Sequence, residues 1–361
     1  PLPNSGPYHF DVEALRQISH HIGSQEFLKS FPAERSLKIA IFDNGFANYK
    51  MHVGQTLPSA VEVVDPSIES SVALPMQQTY HGTLMAQLLS EVLGYRRESD
   101  KDFAHKIYLV NTNGFTNLVT AIDEAIKRDF DIILYSQVWE YGGNFDGGGF
   151  INAEVNRAID AGITWVNAAG NYRFTTLRFA GSVDRNSVRS SGSLPVLISG
   201  NKELSFQIAN QRPEQKTKIV LAWNDFTDER YYQSEIDFDF EILDSNNNKV
   251  ADAALVQAAN PNAGDGQLLD SVDDNYTPYA REIWRGELSE QSYKLRIKLS
   301  NTENLRIDEA GQIFKSSGQK IKLSLATDNP SLVWQSLTPT DSMMIPADNP
   351  RAIAVGAVDS V

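Results

Sequence analysis

The sequence predicts an α/β protein: a doubly wound, mostly parallel sheet interrupted by an inserted antiparallel β-sandwich domain. Three observations carry that reading. Short apolar runs alternate with helix-period segments between residues 36 and 175. The spacing of apolar residues then changes to two, from about Val196 to Ala326. The first pattern resumes at residues 349–359. Strands alternating with helices build a parallel sheet covered on both faces. A period of two marks strands with one buried and one solvated face.

Residues 1–35 stand apart as an N-terminal extension or prosegment remnant. They hold one amphipathic helix from Asp11 to about Ile22, because Val12, Leu15, Ile18 and Ile22 share a helical face. The α/β domain follows over 36–175. Residues 38–42 form a short apolar strand and 82–93 a helix. Residues 106–111 form a strand, 118–128 a helix, and 131–135 a strand. A helix over 151–161 and a strand over 163–168 complete the series. In such sheets functional groups collect at the carboxyl ends of the strands, and Asp43 and Asn171 both fall there.

The β-sandwich spans 176–335. Leu204, Phe206 and Ile208 alternate with polar residues, as do Phe238, Phe240 and Ile242. Tyr293, Leu295, Ile297 and Leu299 continue the alternation, and Ile321, Leu323 and Leu325 repeat it. Turn clusters separate them, among them Ser245-Asn246-Asn247-Asn248 and Asn260-Pro261-Asn262-Ala263-Gly264. Residues 336–361 return the chain to the α/β core.

Composition narrows the function. The 361 residues are 41% hydrophobic and 22% charged, an ordinary globular balance. A net charge of −14 argues against binding a phosphate backbone, so nucleic acid is not an expected partner. Without cysteine there is no disulfide, thiolate nucleophile or Cys-based zinc site. No apolar run reaches membrane-spanning length. The chain opens at Pro1 with neither Met nor a signal peptide, which reads as a mature or excised product.

Three blocks carry chemistry. They are Leu37-Lys38-Ile39-Ala40-Ile41-Phe42-Asp43-Asn44-Gly45, His81-Gly82-Thr83-Leu84-Met85-Ala86 and Ile163-Thr164-Trp165-Val166-Asn167-Ala168-Ala169-Gly170-Asn171. Each alone has a plain structural reading. Asp-Asn-Gly is a common turn, a histidine at a helix start is often a surface residue, and Ala-Gly-Asn is an ordinary strand exit. In this order they resemble the Asp, His and oxyanion-Asn blocks of the subtilisin-like serine peptidases. The Val220–Asp225 and Asp237–Leu243 stretches more weakly resemble the β-sandwich domains that accompany many members of that family.

The resemblance implies a serine endopeptidase. Asp43 would orient His81, His81 would act as general base and acid, and Asn171 would donate its amide to the developing oxyanion. A polypeptide substrate would lie along Ser136, Gln137 and Val138 by edge-strand pairing. Gly142 and Gly143 would line the side-chain pocket. The sequence departs from the pattern at Asn44, Leu134, Tyr135 and Val138, which bears on the pocket more than the fold.

The family's Gly-Thr-Ser-x-Ala-x-Pro block occurs nowhere in the 361 residues. The expectation is that the nucleophile lies outside this chain, on a missing segment or on a companion chain. Ser136 belongs to the substrate strand, and Ser187, Ser190 and Ser191 lie on a loop. The alternative is a catalytically inactive relative that binds a peptide or regulates a protease. A nucleotide-using enzyme is disfavoured, because no Gly-rich loop follows the first strand.

Catalysis of this kind requires no cofactor. Residues 225–274 hold thirteen Asp or Glu against two Lys or Arg. Such oxygens suit a structural Ca²⁺, but a solvated acidic face is the favoured reading. His20 and His21 are adjacent on a helix and share no face, so they do not form a metal pair. A secreted or periplasmic bacterial setting is the expected localisation.

Overall fold

The computed structural model describes all residues except 1–11, 31–34, 65–78, 185–192, 210–215, 231, 255–278, 302–304, 336–341 and 357–361. The turn at 260–264, the serines at 187, 190 and 191, and much of the acidic stretch therefore lie outside the described residues. The protein is mixed α/β, with a six-stranded sheet and separate antiparallel sheets. It divides into two compact units. The first contains Pro1–Gln137, Glu154–Ala168 and Arg351–Ile353, and the second contains Val138–Ala153, Ala169–Pro350 and Ala354–Val361.

The first unit opens with α1 (Val12–His21) and α2 (Ser24–Ser30). It continues with β1 (Lys38–Asp43), β2 (Glu62–Val64), α3 (His81–Val92), β3 (Lys106–Asn111), α4 (Phe115–Lys127) and β4 (Ile132–Tyr135). Helix α5 (Phe150–Asp160) leads into β5 (Thr164–Ala168). The sheet order around these strands is β5-β4-β1-β3-β2, and all four pairings are parallel.

β1 is buried on both faces from Ile39 to Asp43, which is why it reads as an unbroken apolar run. On one face Ile41, Ile107 and Leu109 pack with Phe46, Leu57 and Ala86, the last supplied by α3. An aromatic cluster also packs around β1: the Phe42 ring meets Trp165 edge-on at 5.8 Å, and Tyr135 meets Trp165 at 5.5 Å. Fully burying side chains of this size contributes roughly 1.5–3 kcal/mol each.

The second unit is built of antiparallel strands. They are β6 (Thr176–Ala180), β7 (Ser182–Val183), β8 (Leu194–Leu197), β9 (Leu204–Ile208), β10 (Thr217–Trp223), β11 (Phe238–Leu243) and β12 (Lys249–Ala253). Then come β13 (Arg281–Gly286), β14 (Ser292–Leu299), β15 (Leu305–Ile307), β16 (Ile313–Lys315), β17 (Lys322–Thr327) and β18 (Leu332–Trp334). β13-β10-β17-β6 form one sheet; β12-β11-β14-β8-β7 form another, which β9 and β18 join. The period-two alternation is plain in β14, where Tyr293, Leu295, Ile297 and Leu299 are buried and the intervening residues are more exposed. Trp223 of β10 and Phe238 of β11 bring the two sheets' cores together, edge-on at 5.2 Å.

A buried ionic knot braces this unit. The Asp225 carboxylate has no exposure and accepts from Tyr232 Oη, Ser234 Oγ and the Glu235 amide, and it pairs with Lys315. A charge so deeply buried persists only when its oxygens are paired in this way. The last strand, β19 (Ile353–Val355), takes the sixth place in the parallel sheet, beside β5.

Candidate active site

Asp43 is the last residue of β1, at the carboxyl end of a central strand. Its side chain is 1% exposed, and its hydrogen bonds hold it in one orientation. Oδ1 accepts the Asn44 amide at 2.8 Å. Oδ2 accepts the Ser136 hydroxyl at 3.0 Å and faces His81 Nδ1 at 2.6 Å. A carboxylate accepting several hydrogen bonds is held in one orientation.

His81 is the first residue of α3. Two anchors place it against Asp43. The Gly82 amide donates to Gly45 O at 3.0 Å, and the Thr83 hydroxyl donates to Ala47 O at 2.9 Å. The approach is so close that a Cβ on residue 82 would lie 2.5 Å from the Phe46 ring and 2.7 Å from Gly45 O. Glycine is therefore a requirement of the contact between the helix start and the loop after β1.

The pairing fixes the imidazole's chemistry. With Nδ1–H donated to Asp43, the second ring nitrogen, Nε2, is the basic one. Among the described residues Nε2 has no hydrogen-bond partner. The side chain is 48% exposed. The hydrogen bond to Asp43 raises the His81 pKa, burial opposes the rise, and the carboxylate's charge adds to it. A buried carboxylate beside an imidazole that it orients is an arrangement able to serve general-base chemistry.

The strand ends around this pair are stitched together. The Thr112 amide donates to Asp43 O at 2.9 Å, and its hydroxyl donates to Gln137 Oε1 at 3.3 Å. Asn167 Nδ2 donates to Gln137 O at 3.1 Å, and Asn167 Oδ1 accepts Trp165 Nε1 at 2.9 Å. No motif in the sequence marks Thr112, Asn167 or Trp165 as neighbours of this pair. The polar exits of β3 and β5 were the available signal. Asn111, register partner of Asp43, keeps a buried Nδ2 without a hydrogen-bond partner among the described residues.

The structure thus brings together Asp43, His81, Ser136 and Gln137 within the first unit. Ser136 gives its proton to Asp43, not to His81, which does not suit it to be the nucleophile.

Val138, Gly142, Gly143 and Asn171 fall in the second unit. Gly142 is buried with a positive φ of 95°, and a Cβ there would meet Ile151 at 2.5 Å. A Cβ on the buried Gly143 would lie 2.7 Å from Gly148 O. Asn171 is exposed, directly after Gly170 with its φ of 97°. Among the described residues no group of three His, Asp or Glu side chains is placed to hold a metal ion.

No family model matches the chain, and no curated protein matches it in sequence. Among solved structures the chain is similar to the Clostridium perfringens CspB protease. That likeness has a TM-score of 0.43 and 9% sequence identity, and covers 90% of this chain and 70% of the other.

Proposed function

We propose that this chain is the Asp–His-bearing portion of a serine endopeptidase of the subtilisin type. The observation that carries the reading is the buried Asp43 carboxylate joined to Nδ1 of a half-exposed His81. Support also comes from the order of the three sequence blocks and from the place of Asp43 at a parallel strand's carboxyl end.

In this reading His81 Nε2 removes the proton from a serine hydroxyl as the oxygen attacks the scissile carbonyl. Asp43 stabilises the imidazolium that forms, and His81 then protonates the leaving amine. Water repeats the sequence to release the acyl group. Asn171 donates its side-chain amide to the oxyanion, a contact worth about 3–4 kcal/mol of barrier in such enzymes. The polypeptide substrate would pair along Ser136, Gln137 and Val138, with Gly142 and Gly143 lining its side-chain pocket. The serine comes from a segment or companion chain other than residues 1–361. A secreted or periplasmic bacterial setting belongs to the same proposal.

The second reading is an inactive relative that binds a peptide or regulates a protease. One experiment separates the two. The native protein is treated with a fluorophosphonate probe and its polypeptides are weighed by denaturing mass spectrometry. An adduct on a serine-bearing segment or companion chain, abolished by Asp43→Asn or His81→Ala, supports the peptidase. A labelled serine indifferent to both substitutions, or no adduct in the native protein, overturns it in favour of the binder.

A further inference from the structure

The second unit contains a cleft of about 580 Å³, within the usual range for small-molecule sites. The strand register builds it. β17 runs antiparallel to both β6 and β10, so Ser324 sits opposite Arg178 on one side and Ala222 on the other. Lys322 sits opposite Ala180, two residues along, and so faces the same way as Ser324. Lys320 extends the row. Arg178, Lys320 and Lys322 give three cations in the lining against one carboxylate, Asp348. That is a local positive site in a chain of net charge −14.

The cations are differently prepared. The Arg178 guanidinium is fixed: it stacks over the Phe145 ring at 4.0 Å and donates to Met343 O. Lys320 and Lys322 form no ion pair among the described residues, and their side chains are exposed. Asp348 is already engaged, accepting the Gly147 amide at 3.0 Å and Asn152 Nδ2 at 3.2 Å. Its charge also acts on Arg178, which leaves the two lysines as the cations not offset by a neighbouring carboxylate among the described residues.

An independent observation points to a ligand. Ser324 is 2% exposed, lines the cleft, and its hydroxyl has no hydrogen-bond partner among the described residues. An unmade hydrogen bond at a buried hydroxyl is costly, and most such groups in folded proteins find a partner. Phe145 and Met343 supply the apolar part of the wall.

We infer that this cleft binds a small organic anion, with a carboxylate or phosphate head group held by Lys322, Arg178 and the Ser324 hydroxyl, and an apolar body against Phe145 and Met343. Charge-assisted hydrogen bonds supply the head-group specificity. The assignment is independent of the proposed peptidase activity.

Calorimetric titration of the full chain tests it, with benzoate, phenyl phosphate, inorganic phosphate and benzyl alcohol as probes. The expected result is saturable one-site binding of benzoate or phenyl phosphate, weakening as salt rises, and no binding of benzyl alcohol. Whichever of the two anions binds more tightly identifies the head group. Lys322→Gln changes an exposed side chain and should weaken binding about tenfold, the loss of one charged contact. Ser324→Ala should weaken it severalfold with the melting curve retained. Lys249→Gln, elsewhere in the unit, should have no effect. Binding of benzyl alcohol as tight as that of benzoate and phenyl phosphate, or an affinity indifferent to Lys322→Gln, overturns the assignment. Inorganic phosphate binding as tightly as phenyl phosphate overturns its apolar half.

Discussion

Ser136 donates its hydroxyl hydrogen to Oδ2 of Asp43 across 3.0 Å, the same oxygen that faces His81. One carboxylate oxygen has lone pairs for both donors, but they share its charge. Ser136→Ala leaves Oδ2 to His81 alone, so the imidazolium should be held more strongly. The His81 pKa should rise further, as read from its ring resonances in an NMR pH titration. Under the proposed function, the acid limb of kcat/KM should move to higher pH by the same amount. A titration curve that does not move would show the Ser136 contact to be incidental.

The pH dependence of stability follows from His81. Its folded-state pKa is raised above 6.5, mainly by the hydrogen bond to Asp43. The imidazolium is thus preferred by the folded state. The stabilisation is fully present below the unfolded value of 6.5 and is lost as pH rises through the folded pKa. Urea unfolding of the wild type and of His81→Gln, between about pH 5 and 9, should give the largest difference at the acid end. The gap should close toward pH 9. A difference that grows with pH would reverse the sign and remove Asp43 as the dominant influence. Half the side chain faces solvent, so the effect is small.

Gly82→Ala tests the joint that places His81. The added Cβ meets backbone, Gly45 O at 2.7 Å, as well as the Phe46 ring at 2.5 Å. A ring can rotate, but a carbonyl that accepts the Gly82 amide cannot move without breaking that bond. The variant should lose roughly 1–3 kcal/mol by overpacking. It should also show a His81 pKa back toward 6.5, because the start of α3 is pushed from Asp43. A stable variant with an unchanged His81 titration would mean that the loop yields without cost.

Much of this was legible before the structure. β1 and β3 announce themselves as continuous apolar runs because both of their faces are buried. β14 announces itself by alternation because one face is wet. The Asp43–His81 contact has markers in the sequence, because each residue ends or opens an element whose pattern is local. α2 was missed: seven residues are too few to show a period, and Gly23, with φ 69°, separates it from α1. β2, three residues long, was missed for the same reason. The Ser136–Asp43 bond spans 93 positions and depends on β1 and β4 being neighbours with Phe42 opposite Tyr135. No local pattern encodes that register. The link from Trp165 through Asn167 to Gln137 is hidden likewise, since its partners are set by how the strand ends align.

The second unit has its own pH signature, at Asp237. One of its carboxylate oxygens is buried with no hydrogen-bond partner among the described residues. Burial, with Asp239 nearby as a like charge, pushes its pKa up from 3.8 to about 7. A carboxyl group whose folded pKa lies above its unfolded one holds a proton in the fold that the unfolded chain releases. Stability contributed by that proton is present at low pH and declines as pH rises from 3.8 to about 7. Above that range the fold must hold a poorly solvated carboxylate. Asp237→Asn removes the charge while keeping the shape, so it should be nearly neutral at about pH 4 and stabilising by about 1–2 kcal/mol at about pH 8. Melting curves of the two proteins should therefore coincide in acid and separate in base, with the variant the higher. Parallel curves across the range would show Asp237 to be ionised and solvated throughout, and the assigned burial penalty to be absent.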